Sequence, residues 1–523
     1  MPHELNTPPR LWPFLLASGA AAIWIDFGAF HQYHTSDSLL PVLVSLQHWT
    51  PFFWLQDRVG MLAPLVALPL RHPLGNLLLQ DAIYIFSGLA AFFLLARYLL
   101  RDDTYAITGI VSATAFLALA PPYYVFDFFA NTFYGVWLAL GLGGLVVLEP
   151  DANGQISWLR GACALVLLIL AHWAYSAAAV LLGPLIVFRA LFAARTRLAA
   201  PRRSDARPRG SLVTQLFGLG GRWVNGETGV ALTTLASAFM VGFVFMKRAS
   251  HANPRTLLGA LPVEEWPGAW KQLALNAWAG LAPYHWPYFL ITAAGGGICF
   301  LGIAPIRQRA ARAWRAAAAL SAAGLVFSVF LGTQPWLAVW GRFAERYTKP
   351  SIFLVQMACI MVFAAPLCRV FPVRVRRVGA FGAPCLVGAA FLSFGMPSLH
   401  QVRADLDRRC GAYSADLLAC GCSHFAGNYW RVWPSVFHAN LLAHEQHERR
   451  MIWGVTYRGE ATWRKWRHMP PEDVRVALPA DGDAEAIDYL KQFGFLPLTK
   501  MERRQTISLV RPLVWGKDAC LQD

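Results

Sequence analysis

Residues 160–192 read RGACALVLLILAHWAYSAAAVLLGPLIVFRALF, 33 mostly apolar residues in a single run. As one helix rising 1.5 Å per residue this run would be about 50 Å long, against a bilayer core of about 30 Å. The charge that follows decides how it divides. Arg195, Arg197, Arg202, Arg203, Arg207 and Arg209 come directly behind it, and basic loops stay on the cytoplasmic side during insertion. A single crossing would export them. Two short crossings, turning near Tyr175-Ser176, keep them inside, and two are expected.

On either side the same reading finds apolar segments at 11–30, 74–96, 105–120, 134–148, 160–175, 177–192, 229–246, 288–304, 316–332, 351–368 and 379–396, about eleven transmembrane helices. With Arg10 inside, alternation also holds Arg97, Arg101, Arg160, Arg307, Arg309, Arg312, Arg315, Arg374, Arg376 and Arg377 inside. The first span is no cleavable leader, because Trp24-Ile25-Asp26-Phe27 stands where small residues would be needed. Composition agrees. Of 523 residues 56% are hydrophobic and 15% charged, where a soluble chain carries about 25% charge. Soluble enzymes and disordered scaffolds are excluded. The net charge of +16 would suggest nucleic acid on a soluble protein; here the retained arginines account for it, and no nucleic-acid partner is expected.

The expected fold is mainly α: a polytopic α-helical membrane protein, N-terminus in and C-terminus out, with a small exported α/β domain. Residues 1–396 form the membrane domain, with a large first external loop at 31–71 and a basic cytoplasmic linker at 193–228. Residues 397–523 form the exported domain, with a strand at 474–478, a helix at 484–493 and a strand at 506–513. Cys410, Cys420, Cys422 and Cys520 all fall there. An even number of cysteines in an oxidising compartment predicts one or two disulfides, with a zinc site as the alternative.

The first external loop begins His31-Gln32-Tyr33-His34-Thr35-Ser36-Asp37-Ser38. It continues into Gln47-His48-Trp49-Thr50-Pro51-Phe52-Phe53-Trp54-Leu55-Gln56-Asp57-Arg58, an aromatic run expected to lie as a helix along the membrane interface. A second interfacial helix is expected at 262–287, where Trp266, Trp270, Trp278 and Trp286 cluster. A first span, an acid opening a large external loop, many further spans and an exported tail resemble the GT-C glycosyltransferases. These membrane enzymes use a polyprenyl-phosphate-linked sugar as donor. The resemblance implies that Asp37 is the first-loop catalytic acid, standing alone between Ser36 and Ser38, and that Asp127 is a second acid facing it. Gly427-Asn428-Tyr429-Trp430 resembles a Tyr-Trp motif in exported tails of this type. The implied partners are membrane lipid, a lipid-linked sugar donor and an envelope acceptor; the implied location is the bacterial inner membrane.

The chemistry asks for the same residue types. Moving a sugar off a lipid phosphate needs a base for the acceptor and positive charge for the leaving phosphate. Asp37 is the candidate base, or else it caps the apolar helix that follows. Asp57 and Arg58 read as a second acid and phosphate clamp, or as an ion pair ending a helix. Arg342, Glu345, Arg346 and Lys349 make an external loop basic against the export bias. Arg342 or Arg346 would grip the phosphate, unless they simply pair with Glu345. His31, His34 and Asp37, at i, i+3 and i+6, would share one helix face and could hold a divalent metal ion. Two non-enzymatic readings compete with the transferase: a flippase or transporter of lipid-linked intermediates, and an envelope assembly protein.

Overall fold

The computed structural model describes residues 12–54, 59–100, 104–131, 133–151, 155–199, 227–249, 260–301, 304–339, 344–370, 375–456, 469, 473–492 and 498–512. Asp57, Arg58, Arg342, Cys520 and most of the basic linker lie outside them. The protein is mostly helical, because apolar segments in lipid must satisfy their own backbone polar groups. In chain order the larger helices are α1 (Trp12–Asp26), α2 (Ser36–Leu46), α3 (Leu62–Ala67), α4 (Pro73–Leu100), α5 (Thr104–Leu119), α6 (Pro122–Phe126) and α7 (Tyr134–Val147). Then follow α8 (Trp158–Ala174), α9 (Ala178–Ala199), α10 (Glu227–Ala249), α11 (Trp266–Leu301), α12 (Ala304–Gly332), α13 (Lys349–Val370) and α14 (Val375–Phe394). Among the described residues four helices are long and apolar enough to cross a membrane by length and composition, Pro73–Leu100 among them. This is a membrane-embedded helical protein.

The 160–192 run is two helices. Tyr175 ends α8 in an extended conformation (φ −154, ψ 114), and α9 starts at Ala178. Helices α4 and α7 approach through glycine: a Cβ on Gly135 would lie 2.6 Å from the Gly88 backbone nitrogen. Small residues let apolar helices pack this closely where no hydrophobic drive separates protein from lipid.

Two segments expected as separate interfacial helices fold differently. Most of the segments 262–287 and 288–304 lies in one continuous helix, α11 (Trp266–Leu301); Pro283 and Pro287 fall within it without ending it, as apolar helices tolerate. In the first loop the helix is α2, ahead of the aromatic run. Residues 48–54 are irregular, with Pro51 removing a donor. The Phe53 amide donates to the Val59 carbonyl at 2.9 Å, and the Trp173 indole donates to the Pro51 carbonyl at 2.8 Å. Phe52, Phe53 and Trp54 are buried in protein instead of lying among headgroups.

The tail buries Phe53 and Trp54. Helices α15 (Leu399–Cys410), α16 (Ser414–Ala419) and α17 (Tyr429–Glu445) precede most of a five-stranded mixed sheet. Its strands are β1 (His424–Ala426), β2 (Trp453–Val455), β3 (Val476–Pro479), β4 (Leu498–Arg503) and β5 (Ile507–Pro512), in the order β2-β1-β3-β5-β4. β1 pairs in parallel with β2 and β3; β5 is antiparallel to β3 and β4. A further helix, α18 (Ala484–Gln492), joins β3 to the β4–β5 hairpin. One hydrophobic cluster combines α2 and Trp54 with Val402, Leu406, Trp433 and Phe437 of the tail. Trp54 and Trp433 meet at 5.7 Å between ring centroids. Among the described residues the disulfides are absent: Cys410, Cys420 and Cys422 are free thiols. Burial pushes Cys410 and Cys422 up to about 12, and Cys422 donates to the Leu417 carbonyl at 3.1 Å, so they act as small apolar side chains.

Candidate active site

Asp37 lies in the first turn of α2, where the helix dipole favours a negative charge. It is not the cap. Thr35 precedes the helix in an extended conformation (φ −128, ψ 178), and its amide donates to Ser38 Oγ at 3.0 Å. That frees the Asp37 carboxylate to reach outward. Oδ1 accepts from the Tyr429 hydroxyl at 2.7 Å, and Oδ2 accepts from Arg346 Nη1 at 3.1 Å. Arg346 also donates Nη2 to the Tyr347 hydroxyl at 3.0 Å, and its carbonyl accepts from the Tyr134 hydroxyl at 2.9 Å. The pair is neither sealed nor bare: the two side chains are 16% and 33% exposed.

A second acid–cation pair stands beside the first. Asp127 opens a π-helical turn, Asp127–Asn131, of the kind found often at functional sites. Its carboxylate pairs with Lys349, whose ammonium lies 4.8 Å from the centre of the Tyr124 ring. Asn131 joins the two pairs. It donates to Asp127 Oδ1 at 2.8 Å and accepts from the Thr35 hydroxyl at 2.7 Å, two residues from Asp37. Arg346 and Lys349 are three positions apart, on a short 3-10 turn (Glu345–Thr348) and the first residue of α13. Nearby Phe133 holds φ 53, a left-handed conformation costly for a bulky side chain.

The histidines of the first loop form a separate, buried cluster. His31 lies on a 3-10 turn that ends before His34 (φ −54, ψ 140). The helical phase is broken there, so Asp37 does not share a face with the two imidazoles. Their third neighbour is Asp81 of α4, with Oδ2 3.2 Å from His34 Nε2 and 3.9 Å from His31 Nδ1. Burial pushes His31 down to about 4 and His34 to about 3, with neighbouring His34 and Arg409 adding to the respective shifts. Both rings are neutral. From the tail, Arg409 Nε donates to the His34 carbonyl at 2.8 Å.

Of the residues singled out in the sequence, Asp37, Arg346 and Asp127 are thus brought together, and His31 and His34 stand together apart from them. Glu345 lies on the turn of Arg346, its carbonyl accepting from the Thr348 hydroxyl at 2.7 Å. The carboxylate that Arg346 meets is Asp37. Asp57, Arg58 and Arg342 lie outside the described residues. Sequence reasoning passed over Asp81, although a lone carboxylate in an apolar helix was the available signal. It also gave Tyr429 no role. A groove of about 420 Å³, lined by Arg71, His444, His447 and Arg450 among others, opens at the far end of α2 near Leu46. It lies some ~13 Å along the helix from Asp37 and is not part of this site.

No protein-family model and no curated protein matches the chain. Among solved structures, the crystal structure of ArnT from Cupriavidus metallidurans in the apo state is similar at 11% identity, covering 95% of this chain and 97% of that one, with a TM-score of 0.46. The same protein bound to undecaprenyl phosphate is similar at 13% identity over 97% and 98%, with a TM-score of 0.44. At that identity and score neither assigns a residue or an activity to this chain.

Proposed function

We propose that the chain is an inner-membrane glycosyltransferase of GT-C type, with about eleven crossings, that moves a sugar from a polyprenyl-phosphate donor to an envelope acceptor on the outer face. One observation carries the reading. Asp37 and Arg346, 309 positions apart in sequence, meet at 3.1 Å beside a second acid–cation pair, Asp127 and Lys349. Two cations one turn apart suit the donor's phosphodiester, which carries one negative charge and gains a second as the sugar leaves, and it can draw both cations away from their carboxylates. With the donor phosphate on Arg346 and Lys349, Asp37 is released to take the proton of the acceptor hydroxyl or amine. The acceptor's electron pair then forms a bond to the anomeric carbon. The carbon–oxygen bond to phosphate breaks, and the polyprenyl phosphate leaves with that bond's electrons, held by the two cations. Tyr429 and Asn131 position the acids.

The test uses cells that make the full chain. Asp37→Asn is expected to lower transfer about 10²- to 10⁴-fold, the usual worth of a general base, read as loss of the modified envelope glycan by mass spectrometry at normal protein level. Unchanged glycans at that level would remove Asp37, and this reading with it.

A further inference from the structure

We propose that His31, His34 and Asp81 form a site for one divalent transition-metal ion, of the zinc class, that fastens the first external loop to α4. The case rests on where the ring protons must be. His31 Nε2 lies 2.7 Å from the Asp26 backbone carbonyl, which can only accept. Nε2 therefore carries the hydrogen, and Nδ1 turns a bare lone pair inward. Ser38 Oγ lies 3.0 Å from the Thr35 carbonyl and 3.0 Å from His34 Nδ1; with its single hydrogen on the carbonyl it accepts from Nδ1. His34 Nε2 is then bare as well.

Two lone pairs thus face each other at 2.9 Å. The Asp81 Oδ2 oxygen, which has no hydrogen-bond partner, completes the triangle. His31, His34 and Asp81 are 0%, 0% and 1% exposed, so no solvent relieves the repulsion. A cation at the centre does. The triangle's edges of 2.9, 3.2 and 3.9 Å bracket the ~3.3 Å between ligands of a tetrahedral zinc with bonds of about 2.0 Å.

The surroundings fit a metal centre equally well. Each imidazole gives its outer nitrogen to an acceptor, the arrangement that fixes tautomer and raises ligand basicity. The Asp26 carboxylate oxygen Oδ1 stands 3.6 Å behind His31 Nε2. Phe30 packs edge-on against both rings and Phe126 against His34, shielding them from bulk solvent. Two imidazole nitrogens and one carboxylate oxygen are donors for zinc, iron, cobalt or manganese, not for calcium or magnesium. The fourth position falls to the second Asp81 oxygen or to a buried water. This site is distinct from Asp37, whose oxygens face Tyr429 and Arg346, and it does not depend on the glycosyl-transfer reading. Its role is to hold Thr35 and Ser38, which frame Asp37, against the membrane bundle.

The experiment measures metal, not activity. Full-length protein purified in detergent from zinc-supplemented cells is assayed by inductively coupled plasma mass spectrometry. About one ion per chain is expected, falling to background in Asp81→Asn and in His34→Ala and remaining in Asp37→Asn. A chelator should lower the melting temperature of the unaltered protein, and added zinc should restore it. If the ligand variants do not fold, cobalt replaces zinc in the unaltered chain, where visible d–d absorption of a tetrahedral site supports the proposal. Folded, unaltered protein that holds no stoichiometric metal, takes up no cobalt and melts alike with and without chelator overturns it. So does metal that persists in both ligand variants; a proton shared between the imidazoles would then explain their contact.

Discussion

Asp37 is held by two groups of different kinds, and they should separate on substitution. Tyr429→Phe removes only the hydroxyl at 2.7 Å from Oδ1 and leaves the ring packed. It is expected to lower transfer by about tenfold, the cost of one hydrogen bond to a charged group, with the melting temperature nearly unchanged. Arg346→Lys keeps a charge but loses the planar fork that reaches both Asp37 and Tyr347; a raised KM for the donor with a smaller change in kcat is the outcome to look for. These residues were unequally legible. Asp37 could be read from its place between an apolar span and an apolar helix, and Arg346 from positive charge in a loop expected on the exported side. Their pairing could not, since nothing local links positions 309 apart. Asp81 escaped because a single carboxylate does not interrupt a 28-residue apolar helix.

At the level of the helices, apolar composition located the long segments, and among the described residues four of them are long and apolar enough to cross a membrane. The 160–192 run does break at Tyr175, the turn that two short crossings would need. The aromatic run of the first loop misled for a physical reason: rings that would suit lipid headgroups suit a protein interface as well, and the tail supplies one. Helix contacts by small residues yield a second kind of prediction. Gly135→Ala places a methyl 2.6 Å from the Gly88 nitrogen, an atom that cannot swing aside. The α4–α7 pair must part, at about 1–3 kcal/mol. A lower melting temperature in detergent checks it, and a compensating change cannot be made at Gly88, which itself abuts Phe129.

Across the whole molecule, the seam between loop and tail is a packed core. Trp433→Ala should cost about 3–5 kcal/mol and raise hydrogen exchange in both α2 and α17, where a strictly local effect would touch α17 alone. Acid should loosen the tail. Burial pushes His424 down to about 3, against about 6.5 in an unfolded chain. Between those values the unfolded chain binds a proton that the folded site refuses. The stability that His424 contributes is complete above about pH 6.5 and declines as pH falls toward 3. His438, also pushed down by burial although Asp407 opposes it, acts in the same direction. Melting temperature should therefore drop between pH 7 and pH 5, less steeply in His424→Gln.

The hydroxyl that grips Asp37 is supplied by a residue nearly four hundred positions later. A nascent chain whose early helices are already inserted therefore lacks one of the two groups that hold Asp37. Only when the tail has been made and has folded against α2 does that grip close. On the proposed reading, termination before the tail leaves Asp37 without its hydroxyl partner, and the membrane part inert.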